Sequence, residues 1–89
     1  MKLREPLAWF SQRMEEKLRA NDHKGHWSEC DMIYLRSRIK EELEELENAL
    51  GGEGLHRYTS EEATQIVKEA ADVANFCLMI ADNVRSKIA

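Results

Sequence analysis

This 89-residue sequence predicts an all-α fold: three helices per protomer, completed into a four-helix-type bundle by self-association. Three observations carry that prediction. Apolar residues recur at i, i+3 and i+4 in three segments, and no stretch alternates with the period of a strand. Residues that start and stop helices bracket each segment. The last segment is apolar around nearly its whole circumference, more than two companion helices can cover.

The first helix opens at Pro6, which suits a first turn, and carries Leu7, Phe10, Met14 and Leu18 on one face. It should stop near Asn21-Asp22, leaving His23-Lys24-Gly25-His26-Trp27 as a loop. Ser28, with Asp31 three residues on, offers a capping-type start to a second helix that Gly51-Gly52 should end. Its apolar arc is Met32, Leu35, Ile39, Leu43, Leu46 and Leu50. Thr59 and Glu62 have the spacing of a capping box and open a third helix that runs almost to residue 89. Between Ile66 and Ala81, 12 of 16 residues are apolar. The remaining four, Lys68, Glu69, Asp72 and Asn75, leave it too charged and too short to span a bilayer.

Composition narrows the class. A single proline, four glycines and 43 % hydrophobic residues exclude disordered and fibrous chains, and the length fits one domain over 1–89. Cys30 and Cys77 are too few and too far apart for a disulfide framework, so both are expected as free thiols. The opening MKLREPLAWF has charges where a signal peptide needs an apolar core, so the expected location is cytoplasmic. A net charge of −4 argues against DNA or an anionic membrane as the main partner. The charge is uneven, with nine bases and six acids in residues 1–40 against four and eleven in residues 41–89. One half can therefore meet phosphates and the other cations, although two solvated helix faces would give the same pattern.

The carboxylates are the main anomaly. At about 100° per residue, Val73, Phe76 and Ile80 fall within about 40° of Glu69, which places Glu69 inside the apolar stripe. Asp72 lies about 60° to one side, between Phe76 and Met79. On the second helix Glu42 borders the apolar arc, with Glu45 one turn along, while Glu44 and Glu47 point toward water. Two i, i+3 pairs, Glu42-x-x-Glu45 and Glu69-x-x-Asp72, converge if their helices pack antiparallel. Four such carboxylates repel one another unless cations lie between them, and hard oxygen ligands suit Mg²⁺ above all, with Mn²⁺ able to substitute. Two ordinary readings compete. A Glu-rich helix is commonly a solvated face, and Glu69 could form a buried salt bridge with Arg36, Arg38 or Lys40.

Glu41-Glu42-Leu43-Glu44-Glu45-Leu46 followed by Glu69-Ala70-Ala71-Asp72-Val73-Ala74-Asn75-Phe76 resembles the EExxE…ExxD signature of the MazG-like, all-α nucleoside triphosphate pyrophosphohydrolases. The upstream MEEKLRANDHKGHW is similar to an HKGGW-like element of a phage- and bacteria-associated branch, with His26 standing where glycine is usual. The likeness spans roughly Phe10 to Asn83, and the 23 residues between Glu45 and Glu69 are compatible with it. It implies hydrolysis of a nucleoside or deoxynucleoside triphosphate to the monophosphate and pyrophosphate by a homodimer or tetramer. It further implies Mg²⁺ on Glu42, Glu45, Glu69 and Asp72, with Glu41 and Glu42 as catalytic residues. Glu41 would orient or deprotonate the attacking water, and Asn75 would contact substrate.

Weaker signals complete the reading. Lys24 and Trp27, with His23 and His26, would hold phosphate and stack a base, or else Trp27 merely covers the core. His23, His26 and Cys30 lack a fourth zinc ligand, and Glu53-x-x-His56 falls in a glycine loop. Asp82 is expected to be solvated. From another class, a non-catalytic helical dimerisation or regulatory module explains the apolar third helix but not Glu69 within its stripe. A metal-binding protein without hydrolysis keeps the carboxylates and drops the substrate.

Overall fold

The computed structural model describes residues 1–51 and 57–88, so Glu53 and His56 lie outside the described residues. Three α-helices, α1 (Glu5–Ala20), α2 (Met32–Leu50) and α3 (Ser60–Arg85), account for most of the chain. Two single turns of 3₁₀-helix, Asp22–Lys24 and Trp27–Glu29, link α1 to α2. No strand occurs among the described residues, in line with the predicted all-α class.

Each boundary has a local cause. Pro6 sits in the first turn of α1, where its missing N–H costs nothing. The Thr59 hydroxyl accepts from the Glu62 amide while the Glu62 carboxylate accepts from the Thr59 amide, the reciprocal cap expected of that spacing. Gly51 ends α2 with φ of 78°, a left-handed conformation that only glycine adopts without strain. The start of α2 differs from expectation. Asp31, not Ser28, is the cap, its carboxylate accepting from the Ile33 amide at 2.7 Å. Ser28 instead falls inside the second 3₁₀ turn, where its amide donates to His26 Nδ1. A carboxylate is as strong a cap as a hydroxyl, so the position nearer the apolar run prevails.

α3 is the central element and packs against both α2 and α1. Its pairing with α2 is antiparallel. Arg38 lies over Phe76, Glu42 faces Asp72 and Glu45 faces Glu69, so residue numbers rise along one helix as they fall along the other. Two ties hold the α1 side and the 3₁₀ segment to α3: Asn75 Nδ2 donates to the Met14 carbonyl, and Asn83 Nδ2 to that of Trp27.

The enclosed core of one chain is small. Leu35 and Ala71 are the fully buried apolar residues among those described, whereas Ile33, Tyr34, Leu43, Leu78 and Val84 are exposed. The accessible surface is 7128 Å², against about 5,400 Å² for a compact monomer of this mass. The radius of gyration, 14.6 Å, likewise exceeds the roughly 12 Å of a close-packed domain of this length. No helix among the described residues is long and apolar enough to cross a membrane.

Candidate metal centre and adjoining cleft

The antiparallel register of α2 and α3 brings three of the four expected carboxylates together. Glu42, Glu69 and Asp72 each offer an oxygen within 4.8 Å of the other two. Glu45 is more exposed but close enough for its charge to repel both Glu42 and Glu69. Glu42 is far more enclosed than the border of an apolar arc suggests, only 5 % exposed.

The charges of the site are incompletely balanced. Glu42 Oε1 accepts from Arg38 at 2.6 Å, but Glu42 Oε2 is buried with no partner. Glu69 Oε1 accepts from Gln65, and Glu69 Oε2 is likewise buried and unpartnered. Leaving buried oxygens unmatched is costly, and two of them lie in this one cluster. Burial is the main cause that pushes the Glu42 carboxyl up to about 7, reinforced by Glu45 and Asp72 and only partly opposed by Arg38. Glu69 is also raised, first by burial, against the pull of the Gln65 hydrogen bond. The salt-bridge alternative for Glu69 is not what the chain forms. Arg38 turns to Glu41 and Glu42, and Glu69 pairs with no base among the described residues. Asp72 does have one, Lys17 Nζ at 3.3 Å.

A cleft of about 550 Å³ opens beside Glu42 and Asp72. Lys17, Lys24 and Arg38 supply positive charge to its wall, and Trp27, Tyr34 and Phe76 supply aromatic surface. Asn75 contributes to the same wall. His23 does not: it sits exposed on the first 3₁₀ turn, and His26 takes the place beside Trp27, its ring stacked on the indole with centroids 4.2 Å apart. Glu41 stands outside the three-oxygen cluster, exposed and held by Arg38. His23, His26 and Cys30 do not converge as a metal site among the described residues. Cys30 and Cys77 are free thiols.

Sequence reasoning offers Arg38 only as a partner for Glu69 and Asp82 only as solvated, and gives neither a part in the cleft. Arg38 had a local signal, since it precedes Glu41 by three and Glu42 by four positions, the spacing of helical ion pairs. Asp82 had none. Instead of being merely solvated, its carboxylate accepts from Trp27 Nε1 at 2.9 Å, across 55 residues, and from Arg85. Those two bonds, the Trp27 one first, hold the Asp82 carboxyl below its ordinary range. Asp82 and Asn83 thus fasten the Lys24–Trp27 segment to α3 and set one wall of the cleft. Replacing Trp27 with Phe should let the Asp82 pKa rise toward the usual carboxylate value. NMR titration of the side-chain carboxyl checks this; an unchanged Asp82 would mean that the indole bond does not form in solution.

No family model matches the chain, and no curated protein or solved structure matches it either.

Proposed function

We propose that the chain hydrolyses a nucleoside or deoxynucleoside triphosphate to the monophosphate and pyrophosphate. The observation that carries this reading is the pair of buried, unpartnered carboxylate oxygens on Glu42 and Glu69, clustered with Asp72, two of whose members, Glu42 and Asp72, line a basic, aromatic-walled cleft. The donor set is all oxygen and suits a hard divalent cation, Mg²⁺ with Mn²⁺ as a substitute, on Glu42, Glu69 and Asp72 with Glu45 beside them. When bound, the cation supplies a Lewis acid that offsets polyphosphate charge.

The chain's own residues do the rest. Lys17, Lys24 and Arg38 attract the polyphosphate and hold it against the acidic end of the cleft. Lys17 and Arg38 already neutralise part of Asp72 and Glu42, so they stand next to where phosphate charge arrives. The Trp27–His26 stack gives the nucleoside a flat, partly apolar wall. Water adds across the phosphoanhydride between the α and β phosphates, and its proton must pass to a carboxylate. Glu41 can serve only by leaving Arg38, whereas Glu42 is already in the cluster.

The exposed apolar residues of α2 and α3 support self-association into a homodimer or tetramer. A purely structural dimerisation module accounts for that surface equally well but gives no role to the unpartnered oxygens. The predicted partners are a triphosphate and a second copy of the chain, in the cytoplasm, not DNA or a membrane.

The test is direct. Incubation with Mg²⁺ and a panel of NTPs and dNTPs should release pyrophosphate and monophosphate in equal amounts, and EDTA should stop it. Absence of turnover with every nucleotide, at micromolar protein, would sink the proposal.

A further inference from the structure

The strongest unexplained polar group outside the carboxylates is the side-chain amide of Asn75. It is 4 % exposed, lies in the wall of the cleft, and has one half committed and one half unmatched. Its Nδ2 donates to the Met14 carbonyl at 3.1 Å, and its Oδ1 is buried without a partner. The Met14 carbonyl fixes the orientation, because a flipped amide would set two acceptor oxygens against each other. Oδ1 is therefore an acceptor that a hydrogen-bond donor or a cation can satisfy. A phosphate oxygen, itself an acceptor, cannot do so.

Asn75 follows Asp72 by three residues, about 4.5 Å along the helix axis, so it stands one step beyond the place where phosphates gather. Resting on the nucleotide reading above, we infer that Asn75 Oδ1 recognises a neutral hydrogen-bond donor on the nucleoside part of the substrate, a sugar hydroxyl or a base N–H. The polyphosphate is then held by the bases of the cleft and the acidic cluster, and Asn75 discriminates among nucleosides. A substrate lacking the donor leaves the amide oxygen buried and unmatched, a penalty that a merely apolar wall would not impose.

Titration calorimetry with Mg²⁺ and uncleavable α,β-methylene triphosphates tests this without turnover. The ligands form a series: ribonucleotides of each base, their 2′-deoxy and 2′,3′-dideoxy forms, and forms with the base donor N-methylated. Inorganic tripolyphosphate is the probe without a nucleoside. Removing one donor should weaken binding to the wild-type chain by about tenfold. Loss in the sugar arm or in the base arm identifies which donor is read. In Asn75→Ala the penalty should vanish, while tripolyphosphate binds as it does to the wild type. The wild-type series stands on its own should that variant lose its tie to Met14 and fail to fold.

Binding of every donor-deleted analogue within about twofold of its parent overturns the inference and leaves the phosphate reading intact. A penalty that persists in a folded Asn75→Ala overturns it too. So does weaker binding of Mg²⁺ alone to that variant, which would make Asn75 a ligand of the cation. If neither the nucleotides nor tripolyphosphate bind, the inference and the function it rests on fall together.

Discussion

Glu42→Gln and Glu69→Gln should each lower the rate of pyrophosphate release by about a hundredfold to a thousandfold, the range set by removing one well-placed charge-stabilising group. Both variants should remain folded. Glutamine keeps the shape of the side chain and removes a buried negative charge that burial and the neighbouring carboxylates already disfavour. Thermal melting in EDTA should therefore give a midpoint equal to or above that of the wild type. Paired measurement of rate and melting separates the readings. Full activity in both variants contradicts hydrolysis at this cluster, and a Glu69→Gln chain that unfolds, with no response of the wild type to metal, assigns the carboxylate a structural role.

The same cluster predicts an unusual dependence of stability on pH in metal-free protein. The Glu42 carboxyl, ordinarily near 4.5, is raised to about 7 in the folded chain. Between those values the folded state binds the proton more readily than the unfolded state does. Stability from this group is thus fully present below about pH 4.5 and lost as pH rises through about 7, a change on the order of 3 kcal/mol. Mg²⁺ should reverse the trend where the carboxylates are ionised. At a hundred times its dissociation constant it adds about 2.7 kcal/mol, at pH 8 but not at pH 5. Urea melts across this range, with and without Mg²⁺, measure both effects, and Glu42→Gln should flatten the metal-free curve. A metal-free wild type as stable at pH 8 as at pH 5 would contradict the raised carboxyl.

Most of the fold was legible because its determinants are local. The cap at Thr59, the stop at Gly51 and the proline in the first turn of α1 each lie within a few residues of what they control. The carboxylate cluster was legible for a related reason. Once two helices pair antiparallel, helical spacing alone decides which of their residues meet. What periodicity could not give was depth. It placed Glu42 at the margin of an arc, whereas packing against α3 encloses it almost completely. Nor could it find the attachment of Trp27 to Asp82 and Asn83, or that of Asn75 to Met14, since those pairs are separated by more than fifty residues and bear no pattern in sequence. In sequence, His23–Trp27 has the signature of a loop, and nothing there separates the two histidines as companions of Lys24 and Trp27. His26 stacks on the indole of its neighbour Trp27, which a tertiary bond ties to Asp82, whereas His23 faces solvent.

Among the described residues, Leu35 and Ala71 are the fully buried apolar side chains, while Leu43, Leu78 and Ile33 are exposed. If a second copy covers those side chains, as proposed above, part of the folding free energy lies in an association step, governed by mass action. The midpoint of unfolding would then rise with protein concentration, and dilution alone would act as a mild denaturant. For such a chain abundance would itself be a determinant of structure, the amount of folded cleft growing faster than the amount of polypeptide made.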